Sequence, residues 1–411
     1  MPSETDFREN DIERERLCVL CGRHYSIQES LRTSRNYFDP PFNFWSGCLT
    51  QCLVCWLGCN SDPIEKIAGH LLRDIGPYLG QDTHLVVMPL SRVIVESEMR
   101  FANHTHIYPR GKAKIQMLNV LTYPEVSKSL PSFQSKASGV DQNTLKKQAT
   151  VAFPCRFDWD ALWKSSYREH LEFIRQLSER VDFNCLNLIR YRLCSIDLAD
   201  SLPGRAGQID SNHMMAGALL YNAAFGEGRI IGGDAFSHII TKGLGLPIEK
   251  IPEEEFPGDG EVGYLAQQGL ALYTAILESD SATAKFTQSL ALLEFLAEPL
   301  DYMHFPEVAK IIARYAAKNR SDYERLKERF RELTSKKDPN TGEHVGYRTR
   351  IMHMGDRLER IIPSREERLE LLKEIDGYIR VVLDHMIGHS YHSYDAYLQI
   401  RDTLRPFDLV S

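Results

Sequence analysis

The chain has 411 residues, of which 43% are hydrophobic and 26% charged, with a net charge of −7. This is ordinary globular material for two or three domains, which excludes a disordered chain, and its acidic balance gives no sign of a chain-wide polyanion-binding surface. The charge is uneven, however: residues 301–360 hold 14 Lys and Arg against 10 Asp and Glu. That stretch is locally basic, which permits a phosphate-binding face there.

At the N-terminus, "MPSETDFRENDIERERL" is charged and lacks the apolar core of a secretory signal. The most apolar early run, "CLTQCLVCWLGC", is too short to cross a membrane. A soluble, cytoplasmic protein with no membrane partner is therefore expected, with its nine cysteines reduced. Residues 1–80 hold six of these cysteines and read as a Cys-rich module. Cys18 and Cys21 form one C-x-x-C and Cys52 and Cys55 a second, with Cys48 and Cys59 beside it. Four thiolates would suit a structural zinc, whereas the apolar setting of the second group equally suits buried, unliganded thiols. "CLTQCLVC" also has the C-x-x-x-C-x-x-C spacing of the cluster-binding loop of radical SAM enzymes, but no regular β/α alternation follows it.

Residues 81–255 mix strand-like runs, "THLVVMPLSRVIVE" and "NHTHIYPRG", with the helical "WDALWKSSYREHLEFIRQLSERV". A mixed α/β sensor or regulatory domain is expected there, with "SKSLPSFQSKASGVDQNTLKKQ" as an exposed loop. The Gly-rich "FGEGRIIGGDAFSHIITKGLGL" matches neither phosphate-loop spacing, and turn glycines between short strands account for it. "IPEEEFPGDGEVG" then has the composition of a linker.

From 263 to 411 the pattern is helical. Phe286, Leu290, Leu293 and Leu296 recur at spacings of three and four, as do Ile311, Ile312, Tyr315, Leu326, Phe330 and Leu333. A last long helix carries Leu369, Leu372, Ile375, Ile379, Val382, Leu383 and Met386, and opens at Ser364 and Glu367 with the spacing of a capping box. Four or five helices with short connections imply an up-and-down bundle. The expected class is thus α+β, a Cys-rich and mixed α/β N-terminal region followed by an all-α bundle. His385 and His389, at i and i+4, could share a helical face as metal ligands, yet no Glu-flanked HExxH accompanies them.

Arg348 and His353 form R-x-x-x-x-H after the turn-like "DPNTGEHVG", at the start of what should be the third bundle helix. Arg100 and His106 make a slightly longer version in a strand-like context. With "LALYTAILESDSATAKFTQSLALLEFLAE", "YRTRIMHMGD" and the Ser364 helix, residues 263–400 resemble a HEPN domain of the Apea-like kind. "PGRAGQ" and "RIIGGDAFSHIITKGLGL" are similar to segments upstream of that domain in related proteins. The resemblance implies a metal-independent endoribonuclease acting as a homodimer on RNA, in defence against phage or a related response, with Arg348 and His353 catalytic. It also implies a trigger or partner protein at the N-terminal region. Thr349 stands where the family often has Asn, Asp or His, and the glycine expected directly after the histidine comes one residue late, as Gly355. A catalytically silent dimerisation or nucleic-acid-binding scaffold is the alternative.

The chemistry fits the residue types. Positions i and i+5 lie about 140° apart around a helix, so two copies of the motif, one from each chain of a dimer, would have to converge on one cleft. There a histidine could take the 2′-hydroxyl proton and an arginine could stabilise the charged phosphate, with no metal.

Overall fold

The computed structural model describes residues 16–17, 24–25, 74–109, 149–197, 202–209, 212–222, 224, 227–236, 246–248, 251 and 255–404. The four candidate zinc ligands, together with Cys48 and Cys59, lie outside these residues. The chain is α+β and forms two compact units, one of residues 1–185 and 201–250, the other of residues 186–200 and 251–411.

The first unit is built on an antiparallel sheet. Its strands are β3 (Thr83–Leu90), β5 (Met99–Phe101), β6 (Thr105–Tyr108), β7 (Ala149–Arg156), β8 (Gln208–Ile209), β9 (Asn212–Asn222) and β10 (Glu227–Asp234), in the order β10-β9-β3-β7-β6-β5 with β8 on β9. Apart from it, β1 (Arg16–Leu17) pairs with β2 (His24–Tyr25), and β4 (Val93–Val95) runs parallel to β11 (Leu246–Ile248). The central strands β3 and β7 are buried along almost their whole length, on both faces. Their composition, "LVVM" and "ATVAF", is the continuous apolar run that two covered faces require.

One cover is helical. The long helical run of the sequence divides into α1 (Trp159–Lys164) and α2 (Tyr167–Val181), because Ser166 adopts an extended backbone and closes a capping box with Glu169. Helix α2 lies along β9 and β10, and Arg175 Nε donates to the Ala235 carbonyl at 2.7 Å. Three glycines of the Gly-rich segment differ from the turn positions expected of them. Gly228, Gly232 and Gly233 lie within β10, where Gly232 faces Gly217 across the ladder.

The second unit is helical: α3 (Asn187–Leu193), α4 (Glu261–Glu278), α5 (Ala282–Ala297), α6 (Phe305–Ala316), α7 (Arg320–Thr334), α8 (Tyr347–Met354), α9 (Leu358–Ile361), α10 (Arg365–Gly388) and α11 (Tyr394–Asp402). Helix α4 packs on α3, α5 and α10, while α6 packs on α5, α7 and α10. Phe286, Leu290, Leu293 and Leu296 are buried as their spacing requires, and so are Leu372, Ile375, Ile379, Val382, Leu383 and Met386 of α10. Each such side chain contributes on the order of 1.5–3 kcal/mol by leaving water. The Ser364 hydroxyl oxygen accepts from the Glu367 amide at 3.3 Å, and the hydroxyl donates to Glu366 Oε2 at 3.2 Å, so the expected box closes in one direction.

Residues 186–200 are held to the bundle by Arg380 of α10. Its Nη1 donates to the Tyr191 carbonyl (2.8 Å), its Nη2 to the Cys194 carbonyl (3.1 Å) and the Tyr273 hydroxyl (2.7 Å), and its Nε to Asp376 Oδ2 (2.8 Å). The Tyr273 hydroxyl donates in turn to Asp376 Oδ1 at 2.7 Å, and Tyr191 reaches Asp384 Oδ1 at 2.9 Å. Both tyrosine rings also lie within cation–π range of the guanidinium. Substituting Arg380→Met leaves Asp376 and two carbonyls without their shared donor and should cost about 3 kcal/mol. Tyr273→Phe, which removes two of these hydrogen bonds, should cost about 2 kcal/mol. Denaturant unfolding of the full chain, followed by helical circular dichroism, checks both values and their order.

Candidate functional site

The motif "YRTRIMHM" is α8, a helix of eight residues instead of a long bundle helix. A tight return precedes it. Asp338 accepts from the amides of Asn340 (2.7 Å) and Thr341 (3.0 Å), and Gly342 sits at φ +71°. The helix ends at Gly355, at φ +74°, a left-handed conformation that glycine adopts without a Cβ clash. Gly355, two residues after His353, is therefore where the helix stops.

Within α8 the side chains divide by direction. Tyr347 stands edge-on to Phe286, Ile351 is buried, and the Thr349 hydroxyl donates to the Thr334 carbonyl at the end of α7 at 2.8 Å. Arg348 Nη2 lies 2.8 Å from Glu294 Oε1 on α5, and its guanidinium lies 5.6 Å from the ring centre of Phe305. The side chain is nevertheless 36% exposed, so Arg348 is held at one side and open at the other. His353 is exposed in the last turn, between the exposed Met352 and Met354, and has no polar partner among the described residues. Arg350 is tied to Asp356 at 2.8 Å, and Asp356 is also 3.6 Å from Arg360.

The local positive charge is largely consumed by pairing. Along α7, Arg325 pairs with Asp322, Lys327 with Glu324, Arg331 with Glu328 and Lys336 with Glu332. Arg329 forks onto Glu374 of α10, at 2.9 Å through Nε and 2.8 Å through Nη2. The basic balance of the sequence therefore reads out as helix-surface ion pairs, each worth a few tenths of a kcal/mol. Near the helix end, Arg357 is exposed, and Arg360, also exposed, makes a long 3.6 Å contact with Asp356.

The second histidine pair, at the end of α10, forms a stack. The His385 and His389 rings lie 4.4 Å apart, and His389 Nδ1 donates to the His385 carbonyl at 2.9 Å. His385 Nδ1 meets the Tyr397 hydroxyl at 3.1 Å, and that hydroxyl meets the Tyr315 hydroxyl at 2.9 Å. No third donor joins the two histidines at metal-ligand spacing among the described residues.

A grouping of that kind occurs instead at Arg100 and His106. The two are cross-strand partners on β5 and β6, and with Glu98 and Asp74 they bring a cation, an imidazole and two carboxylates together. Only strand register could have revealed this, because the sequence separates Asp74 from His106 by a turn and three strands. Comparison with models of known protein families, with curated proteins and with solved structures finds no match to this chain.

Burial, and after it the charge of His389, pushes His385 down to about 4, so it is neutral in the folded protein. An unfolded histidine titrates near about 6.5, so between these values the unfolded chain binds more protons and stability rises with pH. This contribution should be fully present above about pH 6.5 and lost as pH falls toward 4. Urea midpoints at pH 7.5 and 5 should differ more for the wild type than for His385→Gln.

Proposed function

We propose that the second unit is a metal-independent endoribonuclease of HEPN type, acting as a cytoplasmic homodimer in phage defence or a related RNA-targeting response, with the N-terminal region sensing a trigger. The observation that carries this reading is the placement of the motif pair. His353 projects from the end of α8 with no polar partner among the described residues, and Arg348 is held at one side by Glu294 with its side chain 36% exposed. A histidine that completes neither a core nor an ion pair is free to take a proton from a 2′-hydroxyl. An arginine fixed at its inner edge loses little freedom when it binds a phosphate through its outer one.

Helix geometry asks for the dimer. The two side chains leave α8 about 140° apart, so the histidine of one chain would meet the arginine of the other across a shared cleft. The exposed methionines on either side of His353 suit such a contact, since they add apolar area that adapts its shape.

The scaffold reading has its own support in the Arg348–Glu294 pair, which gives that arginine a structural duty. Cleavage assays separate the two. Purified protein incubated with a mixed RNA pool should give products ending in a cyclic phosphate, unaffected by a chelator and blocked by 2′-deoxy substitution at the cleaved position. His353→Ala and Arg348→Ala should each lower the rate about 100-fold or more while leaving helical content intact. Arg350→Ala should cost stability through Asp356 and spare the bond-breaking step at saturating RNA. A wild-type protein that dimerises and binds RNA without cutting it would establish the scaffold.

A further inference from the structure

The connection between α5 and α6, residues 298–304, holds two apolar side chains out in water. Leu300 is 67% exposed and Tyr302 77%, and among the described residues no large apolar side chain is more exposed than Tyr302. Tyr302 is nonetheless held in place. Its amide donates to Asp301 Oδ1 at 2.7 Å, its hydroxyl lies 3.5 Å from His304 Nδ1, and its ring meets the His304 ring edge-on with centres 5.2 Å apart. His304 is itself exposed and, although it stands at the N-cap of α6, its side chain makes no capping bond. Neither ring completes the core.

The next residue in the chain, Phe305, is buried and packs toward Phe330, and the Arg348 guanidinium lies 5.6 Å from its ring centre. Three residues along the chain take Tyr302 to Phe305, so their Cα atoms lie within about 11 Å of each other. The exposed ring therefore stands a short step from the arginine assigned to the phosphate. The charges around it decide what can approach. Asp301 is exposed and repels a phosphate, Glu307 and Lys310 satisfy one another at 2.7 Å, and Glu298 accepts from the Tyr394 hydroxyl at 3.0 Å. A polyanion can thus place its backbone at Arg348 and only an uncharged part beside Tyr302. In RNA that part is the base, and every base has a π-face for an aromatic ring.

Resting on the nuclease reading of Arg348 and His353, we propose that Tyr302 and His304 form a platform on which one unpaired base stacks while Arg348 holds a neighbouring phosphate, so that the substrate is single-stranded RNA. A paired base has both faces covered by its neighbours in the duplex, whereas an unpaired one can be splayed onto a side chain. The contact of the Tyr302 hydroxyl with His304 sets the tilt of the ring, and the ring supplies the stacking surface. Tyr302 binds substrate and takes no part in proton transfer.

The test uses the full chain and a short labelled RNA of mixed sequence, single-stranded or annealed to its complement. Anisotropy in the His353→Ala background reads binding to uncut RNA, and product formation by protein that keeps His353 reads KM and kcat separately. Tyr302→Ala should weaken single-strand binding and raise KM about 10-fold, with kcat and melting temperature unchanged, because the side chain is exposed and touches no reacting atom. Tyr302→Phe, which keeps the ring, should restore both to within about twofold of the wild type. The salt dependence of binding should be the same with and without the Tyr302 ring, since no phosphate contact is lost. Absence of single-strand binding, binding that Tyr302→Ala leaves intact, a Tyr302→Phe variant as weak as Tyr302→Ala, or duplex bound as tightly as the single strand would each overturn the platform. A single strand that binds, loses affinity in Tyr302→Ala and is never cut supports the platform and overturns the nuclease reading alone. Cleavage with an unchanged KM in Tyr302→Ala does the reverse.

Discussion

The four hydrogen bonds of the Arg380 guanidinium set the shape of the second unit. A guanidinium presents its donors in one plane, so the Tyr191 and Cys194 carbonyls, the Tyr273 hydroxyl and Asp376 must take up fixed places around it. The first two belong to residues 186–200 and the last two to α4 and α10. One side chain therefore joins a short, sequence-distant segment to two core helices. Supporting bonds act in the same direction: the Thr274 hydroxyl donates to Asn187, Lys285 Nζ to the Ile196 carbonyl, and Lys373 pairs with Asp197. Apolar packing of α4 against α10 would tolerate small slides along the interface, and the polar fork selects one position.

That fixed core is what allows α8 to be short. Helix α5 is anchored by its buried leucines and presents Glu294 to Arg348, while α7 presents the Thr334 carbonyl to Thr349. Helix α9 is pinned as well, since Thr283 at the start of α5 donates to Glu359 and accepts from the Leu358 amide. Helix α8 is thereby tethered through its own first turn and through α9, and its last turn, with His353, faces solvent. Thr349 serves here as a tether.

Charge pairing decides how much of the basic composition can reach a ligand. Lysines and arginines spaced three or four residues from acids on α7 satisfy one another along the helix, whatever else the protein does. The cations near His353 form a smaller set, which makes the proposed contact with RNA local to the helix end and not a broad basic face.

Much of the helical region was legible in the amino-acid order, because burial on a helix repeats with its turn. The apolar residues of α5 and α10 announce their own buried faces, and Ser364 announces its helix start. The α+β class was legible for the same reason, through runs such as "THLVVMPL" that suit a strand buried on both faces. The pairing of Arg348 with Glu294, the early stop at Gly355 and the division of α1 from α2 at Ser166 depend on local backbone choices and on neighbours far along the chain. Membership of residues 186–200 in the helical unit was invisible, since nothing in that stretch names Arg380 as its partner. The meeting of Asp74, Glu98 and His106 was equally so. Periodicity records which face of an element is buried, whereas strand register and helix docking decide which polar groups meet, and only tertiary structure sets those.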